Sequence, residues 1–348
     1  MNVESKINIR NQNLEQLQNF VAALGQPGYR ALQMYDWLWN KGVQNFQECN
    51  NIPISMREHF ESNFYIDGIA EDTVQISMDG TIKTRFRLID HAMIESVLIP
   101  VPEDGRFTVC VSSQVGCSLS CKFCATGMME RVRNLTPGEI FDQVFKVNMQ
   151  CMAYYGKPIT NIVFMGMGEP LLNYKNVMTS IHHITGKHGL HMSPSRITIS
   201  TAGIAKMISK LADDQSKVNL ALSLHAADDD KRNEIMPINE TNNLKALMAA
   251  LSYFYKKTKG KISYEYIAFE NFNDSTQDAY KLARLCQSFP VKVNIIEYNP
   301  VEGVHFVKSE ENTIDRFARI LREKNIMVTV RRSRGKDIDA ACGQLANK

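Results

Sequence analysis

The chain has 348 residues, of which 44% are apolar and 22% are charged, and its formal net charge is +3. This is the composition of a globular protein long enough for one large domain and a smaller one. The small net charge excludes an argument for nucleic-acid binding from the whole molecule, so any such argument must come from local patches. No apolar run approaches the roughly 18 residues of a membrane span, and the polar start lacks a signal-peptide core. We therefore expect a cytoplasmic protein with no membrane partner.

The first part of the chain predicts helices. The segments LEQLQNFVAAL, YRALQMYDWLWNKG and SMREHFESNF each carry apolar residues at helical spacing. The two tryptophans, Trp37 and Trp39, lie in the second segment, and we expect Trp37 and its neighbours to form a small helical core. This pattern predicts a helical accessory domain over residues 1–70.

The next segment changes character and predicts a β-hairpin. TVQISM is followed by Asp79-Gly80 and then by TIKTRFRLI, and this dipeptide between alternating strands is a strong hairpin signal. MIESVLIP follows as a third candidate strand. We interpret residues 71–105 as a hairpin and extension that links the helical start to the rest of the chain.

From about residue 106 the chain alternates strand, loop and helix. The strand candidates are FTVCVSS, TNIVFMG, RITIST, VNLALSLH, ISYEYIAF, VKVNIIEY and IMVTVRR. Apolar strands that alternate with amphipathic helices predict a parallel sheet covered by helices over residues 106–348. A partial barrel and a doubly wound sheet both fit this number of units. In either fold the active site lies at the carboxyl ends of the strands.

Four of the eight cysteines lie in CVSSQVGCSLSCKFCATG, directly after the first strand of this alternating region. In a reducing cytoplasm such a cluster indicates metal binding or catalysis rather than disulfides. Cys117, Cys121 and Cys124 have C-x3-C-x2-C spacing on a loop, and three ligands without a second pair indicate a [4Fe–4S] cluster with one open iron. The alternative is a zinc or a complete cluster in which Cys110 or Cys151 is the fourth ligand.

Small polar residues recur where the following strands end. A polar cofactor that lies across the top of the sheet requires such side chains. The run HHITGKHGLH holds four further histidines, and its two glycines at a predicted helix end favour a solvated turn over a metal site. The strand-end candidates are Gly168, Glu169, Ser200, Ser223, Leu224, His225 and Asn299.

The C-terminal segment VRRSRGKDIDAACGQL combines a basic stretch with a thiol. The basic stretch at residues 331–336 directly follows the last strand and is either an RNA-contacting surface or a solvated edge. Cys342 is flanked by small residues that give its thiol little steric cover. Because an accessible free thiol is normally a liability, Cys342 requires a functional explanation.

The cysteine motif and the Gly-Glu strand end together resemble the radical S-adenosylmethionine (radical SAM) superfamily. The segments CVSSQVGC, FMGMGEPLLN, SLHA, MPIN and RGKDIDAACGQL resemble, more narrowly, the radical SAM adenine methyltransferases of 23S ribosomal RNA and transfer RNA. GYRALQMYDWLWNKGV is similar to the accessory domain of that family. The resemblance implies an α/β fold, a partial (βα)6-type radical SAM barrel with a small helical N-terminal accessory domain.

The resemblance also assigns the cofactors. Cys117, Cys121 and Cys124 are the implied ligands of one [4Fe–4S] cluster, whose open iron binds SAM, and two SAM molecules are used per turnover. The electron-poor carbon 2 of adenine does not attack a methyl group as a nucleophile, so a radical is needed. In this family, cleavage of SAM supplies a 5′-deoxyadenosyl radical. The SAM-contacting positions are Gly168, Glu169, Ser200, Ser223, Leu224, His225 and Asn299.

Three further residues receive implied catalytic roles. Cys342 matches the residue that carries a methyl group as S-methylcysteine and then joins the RNA covalently. Cys110 matches the thiol that resolves this adduct through a transient disulfide with Cys342, which an external reductant must reopen. Glu95 matches a proton acceptor, although its alignment to Cys110 needs a one-residue insertion.

The implied substrates are 23S rRNA and a tRNA adenosine next to the anticodon, methylated at carbon 2. We expect an external electron donor of the flavodoxin-type reductase class and, by default, a monomer. Lys122, Arg131 and Arg133 near the cysteine motif and the basic stretch at residues 331–336 are expected to form a phosphate-contacting rim. Alternatives are a carbon-8 adenosine methyltransferase that confers antibiotic resistance, a radical SAM enzyme with another substrate, and a non-catalytic zinc RNA-binding protein.

Overall fold

The computed structural model describes residues 6–347. Its N-terminal part contains three helices and a short parallel pair of strands. A capping box begins the first helix, because Asn13 Oδ1 accepts a hydrogen bond from the Gln16 amide at 2.8 Å and the Gln16 side chain bonds back. In chain order these elements are β1 (Ile7–Asn8), α1 (Leu14–Ala23), α2 (Tyr29–Trp39), α3 (Ile54–Asn63) and β2 (Phe64–Tyr65).

The N-terminal helices pack directly on the rest of the chain. Trp39 is fully buried, its ring stacks on His183 with centroids 3.6 Å apart, and it meets Phe141 edge-on. Trp37 is only half-buried, and its indole N–H donates to Asn51. The predicted core is thus confirmed for the neighbours Leu38 and Trp39, whereas Trp37 itself packs against the edge of that core. The predicted solvated histidine turn is wrong for His183, which is buried beneath Trp39.

The region after the helices forms the antiparallel part of a ten-stranded sheet. β3 (Ala70–Ile76) and β4 (Ile82–Arg87) pair as the predicted hairpin. β5 (Met93–Val101) pairs with β4, and β6 (Arg106–Cys110) pairs with β5. The segment predicted as a link is thus an extension of the main sheet. The domain limits at residues 70 and 105 stay predictions.

Parallel strands continue the sheet from β6, and all seven predicted strands are present. A small antiparallel pair stands apart from the sheet directly after β6. The remaining elements are β7 (Gln114–Val115), β8 (Arg133–Asn134), α4 (Pro137–Tyr155), β9 (Asn161–Phe164), α5 (Tyr174–Thr185), β10 (Ile197–Thr201), α6 (Ala205–Asp213), β11 (Asn219–Ser223), α7 (Asp229–Ile235), α8 (Leu244–Thr258), β12 (Ile262–Ala268), α9 (Thr276–Leu285), β13 (Lys292–Glu297), α10 (Glu311–Glu323) and β14 (Met327–Arg331).

The order of the strands decides between the two predicted architectures. The parallel strands run β6-β9-β10-β11-β12-β13-β14, without the reversal of order that defines a doubly wound sheet. Within the described residues β3 and β14 are the two edges of the sheet, so the barrel is partial, as predicted. The carboxyl ends of the parallel strands share one rim. Across residues 6–347, no helix is long and apolar enough to cross a membrane.

Candidate active site

A cavity opens at the carboxyl ends of the parallel strands. It encloses about 850 Å³ of space, part of it open to solvent, which is within the size range of small-molecule sites. Cys117, Cys121 and Cys124 line one side of this cavity. Cys342, from the far end of the chain, lines the same cavity together with Gly343. The cysteine motif and the isolated C-terminal thiol therefore share one site.

Local hydrogen bonds shape the loop that carries the three cysteines. The amide of Cys124 donates to the carbonyl of Cys121 at 3.2 Å, and the amide of Gly127 donates to the carbonyl of Cys124 at 2.9 Å. The amide of Lys122 donates to the carbonyl of Ile235 at 3.0 Å, which ties the loop to the end of α7. Burial raises the pKa of Cys117 to about 11 and raises that of Cys121 and Cys124, so a bound cation is needed to hold these thiols as thiolates.

The donor set, three cysteine thiols at the wall of one cavity, fits an iron–sulfur cluster with one open iron. Among the described residues, no three His, Cys, Asp or Glu side chains converge closely enough to hold a single metal ion. In a cubane cluster each cysteine ligates a different iron, so its ligands stand farther apart than those around one zinc. Neither Cys110 nor Cys151 lines the cavity, which disfavours the predicted alternative with a fourth cysteine ligand.

Gly168 and Glu169 stand where β9 ends. Gly168 has a φ of +91°, and a Cβ there would lie 2.4 Å from Gln114 Cβ, so only glycine fits. The Glu169 carboxylate is buried and accepts from the amides of Leu171 at 3.0 Å and Ala202 at 2.7 Å, which braces the ends of β9 and β10. Burial raises the pKa of Glu169 to about 7, so a cationic ligand in the cavity would favour its ionised form.

The other strand-end candidates divide into two groups. Ser200 and Ser223 line the cavity with their hydroxyl oxygens 3.3 Å apart. His225 also lines it, and its Nδ1 accepts from the Ile267 amide at 3.1 Å, which leaves Nε2 to carry the hydrogen. Burial lowers the pKa of His225 to about 3, so the ring is neutral. Leu224 and Asn299 are buried outside the lining of the cavity.

Two predicted catalytic residues, Cys110 and Glu95, are buried outside the lining of the cavity. Cys110 is buried at the end of β6, and burial together with the nearby Cys342 charge raises the pKa of its thiol. Cys342 is solvent-exposed and close enough to Cys110 to act on it electrostatically. Glu95 is buried on β5, and its Oε2 accepts from the amides of Ala346 at 2.9 Å and Asn347 at 3.0 Å. The structure thus gathers Cys110, Cys342 and Glu95 in one region.

Two family models match separate parts of this chain. Residues 7–66 match the family model of the ribosomal RNA large subunit methyltransferase N-terminal domain, and residues 111–283 match the radical SAM superfamily. A probable dual-specificity RNA methyltransferase RlmN of Cytophaga hutchinsonii is 51% identical over 340 residues, which cover 98% of this chain and 93% of that protein. The chain belongs to the RlmN family.

Other RlmN-family members support this assignment. The dual-specificity RNA methyltransferase RlmN of Geobacter sulfurreducens is 41% identical and covers 99% of this chain and 94% of its own. The crystal structure of a radical SAM methyltransferase from Sphaerobacter thermophilus superposes with a TM-score of 0.92 at 38% identity, covering 98% of this chain and 100% of that chain. The predicted fold, an enzyme of the RNA methyltransferase class, and the [4Fe–4S] and SAM cofactors are confirmed.

One cavity residue of this RlmN-family chain, Glu265, is absent from the sequence-based predictions. Glu265 on β12 is almost fully buried, lines the cavity, and its Oε1 accepts from Ser263 and Asn294. Arg331, from the predicted basic stretch, lies 3.4 Å from Glu265 Oε2. Glu265 lies in the predicted strand ISYEYIAF, and a charged residue within this largely apolar strand was the feature of the sequence that could have indicated a site residue.

The predicted phosphate-contacting rim is largely paired within the protein. Arg332 and Lys336 both contact the buried Glu297, Arg334 lies 3.5 Å from Glu103, and Arg331 pairs with Glu265. Arg133 bonds to both Asp90 and Glu139. Of the seven predicted rim residues, Lys122 and Arg131 have no ion pair among the described residues. These two are the cations of the set that remain available to a phosphate.

Proposed function

We propose that this protein methylates carbon 2 of an adenosine in 23S rRNA and of a tRNA adenosine next to the anticodon, with Cys342 as the methyl carrier. One observation carries the proposal: Cys342 lines the same cavity as Cys117, Cys121 and Cys124. A thiol in this position can meet both a cofactor held by the three cysteines and a base that enters from solvent. The dual-specificity RNA methyltransferase names of its relatives support RNA as the substrate.

The cavity walls fit the cofactors of the radical SAM family. The three motif cysteines would ligate three irons of a [4Fe–4S] cluster, and the cavity-lining Gly168, Glu169, Ser200, Ser223 and His225 offer the polar contacts that SAM needs. When bound, this pair supplies a methyl group and a carbon radical. Leu224 and Asn299 remain SAM-contact candidates that would act through their backbone or after a local shift.

The two thiols divide the transfer of the methyl group between them. The Cys342 sulfur carries the methyl carbon, which would lose one hydrogen atom to the radical that bound SAM supplies and would then bond to the base carbon. The base carbon would release its hydrogen as a proton and return one electron to the cluster, which leaves enzyme and RNA joined. The Cys110 thiolate then attacks the Cys342 sulfur, the sulfur–carbon bond breaks, and the released carbon takes a proton to become the methyl group. The two sulfurs remain as a disulfide, which takes two electrons and two protons from an external reductant to reopen.

Glu95 is suited to accept the proton that leaves the base carbon. Its Oε2 is occupied by the amides of Ala346 and Asn347. Its Oε1 is buried, lies 3.5 Å from Lys83 Nζ, and has no hydrogen-bond partner among the described residues. Oε1 is therefore the carboxylate oxygen that we propose takes the proton.

The proposed reaction also requires partners beyond the chain. The target adenine must leave its stack to reach Cys342 at the cavity. The reductant is proposed to be a flavodoxin-type system, and the protein is proposed to act as a monomer in the cytoplasm, where its RNA substrates are found. Lys122 and Arg131 are the proposed phosphate contacts next to the cysteine loop.

Two measurements test the proposal. Anaerobically purified protein is digested, and the peptide that holds Cys342 is expected to be heavier by one CH2 unit, with the modification on sulfur. The gene is deleted and adenosine methylation is mapped in rRNA and tRNA. We expect 2-methyladenosine to disappear and to return when the gene is restored. Retention of 2-methyladenosine at every site contradicts the substrate assignment.

The same samples separate the alternatives. Iron and sulfide in stoichiometric amounts support the cluster, whereas zinc in their place supports a non-catalytic RNA-binding protein. Loss of 8-methyladenosine on deletion supports the carbon-8 alternative. A methylated Cys342 without any change in rRNA or tRNA points to a radical SAM methyltransferase with another substrate.

A further inference from the structure

The segment that carries Cys342 is held on both sides of the thiol. Downstream of the thiol, the Ala125 amide donates to the Gly343 carbonyl at 2.7 Å, and the Thr126 hydroxyl donates to the Leu345 carbonyl at 2.6 Å. These contacts join the segment to the cysteine loop directly after Cys124. Upstream of the thiol, the segment meets a part of the chain that has no role in the site described above.

This upstream contact is made by the turn of the β3–β4 hairpin. The Ser77 hydroxyl donates to Asp337 Oδ1 at 2.5 Å, and the Met78 amide donates to Asp337 Oδ2 at 3.1 Å. In return, the Gly335 amide donates to Asp79 Oδ2 at 2.9 Å. The turn and the segment thus each provide one carboxylate that accepts hydrogen bonds from the other, although they are about 260 residues apart in the sequence. The exchange is reciprocal, as in a capping box, but it joins two distant parts of the chain.

The β3–β4 turn is itself fixed by hydrogen bonds, within the turn and from the end of α4. Asp79 Oδ1 accepts from the Thr81 amide at 2.9 Å, which fixes its carboxylate, and the Tyr155 hydroxyl at the end of α4 donates to the Gly80 carbonyl at 2.5 Å. Gly335 has a φ of +64°, and a Cβ there would lie 2.7 Å from Ala340 Cβ and 2.9 Å from the Thr81 side chain. The fit between turn and segment thus leaves no room for a larger residue at position 335.

We propose that the β3–β4 turn is a docking site for the Cys342 segment, in which Asp79 and Asp337 are positioning residues that keep Cys342 opposite Cys110. The inference deepens the proposed function and rests on it for its consequence in catalysis. Because the segment is held at 335–337 and again at 343–345, Cys342 stands on a short tether between two fixed points. The Cys342 sulfur must face the cavity, the RNA and then Cys110, and a short tether keeps its effective concentration at each of them high.

The test measures that effective concentration without SAM or RNA. Holoenzyme is equilibrated anaerobically in glutathione buffers, and peptide mass spectrometry quantifies the Cys110–Cys342 disulfide as a fraction of the molecules whose Cys342 is unmethylated. The two protein thiols lose two electrons and two protons as the disulfide forms, and one oxidised glutathione becomes two reduced ones. The ratio of disulfide to dithiol at a fixed buffer reports how closely the two thiols are held.

Asp337→Ala is expected to lower this ratio about tenfold, which is modest beside the effective molarities of well-oriented groups. Asp337→Asn, which keeps an acceptor oxygen, should recover part of the loss. Ser77→Ala removes one donor with minimal risk to folding and should give a smaller decrease. Asp213→Asn is the matched control, because Asp213 accepts a hydroxyl bond from Tyr253 at 2.5 Å on the outer surface. Iron content is measured in every sample to verify folding.

Hydrogen exchange gives a second readout that a general loss of stability does not reproduce. The amides of residues 338–347 should exchange faster in Asp337→Ala, while those of β9 to β13 stay protected. An unchanged disulfide ratio and unchanged exchange in folded Asp337→Ala and Ser77→Ala overturn the docking site, even if RNA methylation by the wild type is established. A lowered ratio in a protein that methylates no RNA instead retains the docking site and refutes the proposed function.

Discussion

The cavity is formed by two regions that are built in opposite ways, the cysteine loop at residues 117–124 and the C-terminal segment at residues 333–347. Hydrogen bonds between close neighbours in the sequence, such as that between Cys124 and Cys121, shape the loop, and one bond from Lys122 ties it to Ile235. The segment is fixed by partners some 220 to 260 residues away, in the cysteine loop and on the hairpin. The three cysteines proposed to bind the cofactor thus lie close together in the sequence, whereas the position of Cys342, the proposed methyl carrier, depends on contacts between distant parts of the chain.

The largest expected effect comes from breaking the local region. Cys124→Ala removes one of three predicted ligands, and we expect iron to be lost and RNA methylation to fall by at least about 100-fold. Iron analysis and a methylation assay on anaerobic protein measure the two effects. Cys151→Ala is the matched control, since Cys151 is buried on α4 away from the cavity. Iron loss in that control contradicts the three-ligand assignment.

The second prediction separates the two regions. Cys110→Ala should keep its iron, because Cys110 lies outside the cavity, but it should accumulate a covalent protein–RNA adduct that Cys110 can no longer resolve. A gel shift that persists under denaturing conditions and disappears with nuclease detects the adduct. Cys286→Ala, on the outer side of the barrel, should behave as the wild type. Iron loss in Cys110→Ala would instead revive Cys110 as a fourth ligand.

The third prediction weakens an anchor of the basic stretch at residues 331–336. Glu297→Gln is expected to lower the free energy of unfolding by about 2 kcal/mol at pH 7, because Glu297 holds Arg332 and Lys336. Burial acts to raise the pKa of Glu297, but these cations outweigh it and lower the pKa to about 2.

The sign of the pH dependence follows from that lowered pKa. The contribution of Glu297 is fully present above its unfolded pKa of about 4.3 and is lost as the pH falls towards 2. The difference between wild type and Glu297→Gln, measured by urea unfolding, should therefore shrink between pH 4 and pH 2. Glu323→Gln, at the end of α10, is the control. A difference that is constant from pH 7 to pH 2 refutes the ion-pair explanation.

The smallest expected effects concern RNA binding. Lys122→Ala should reduce the slope of log affinity against log salt by about one, because Lys122 is free to contact a phosphate. Arg334→Ala should change the slope by less, since Arg334 is shared with Glu103. Binding of a short RNA at a series of salt concentrations measures both. Equal slopes for the two variants would show that the ion pair with Glu103 does not keep Arg334 from contacting a phosphate.

Much of the first region was predictable from sequence. Apolar strands alternating with helices predicted seven parallel strands, and strand-end reasoning placed the site at their carboxyl ends. The spacing of Cys117, Cys121 and Cys124 predicted a shared site because the three residues lie on one short loop. Such features depend on neighbours in the chain, so local patterns carry them.

The second region was not predictable in the same way. The exchange between Asp337 and Ser77, and the neutralisation of Arg332 by Glu297, depend on which surfaces the fold brings together. The stacking of Trp39 on His183 is another such contact, and the helical pattern alone pointed to Trp37. No local period encodes these pairings, because each joins elements that meet only after the sheet has formed.

The two bonds from Ala125 and Thr126 to the C-terminal segment have a thermodynamic consequence for the cell. We expect a cluster held by Cys117, Cys121 and Cys124 to order the loop that these bonds hold, and therefore to favour the seated form of the segment. By reciprocity, seating the segment favours cluster assembly by the same factor. A cell short of iron would therefore hold molecules that lack the cluster and also leave Cys342 less often in place, which keeps a reactive thiol idle when its partner chemistry is missing.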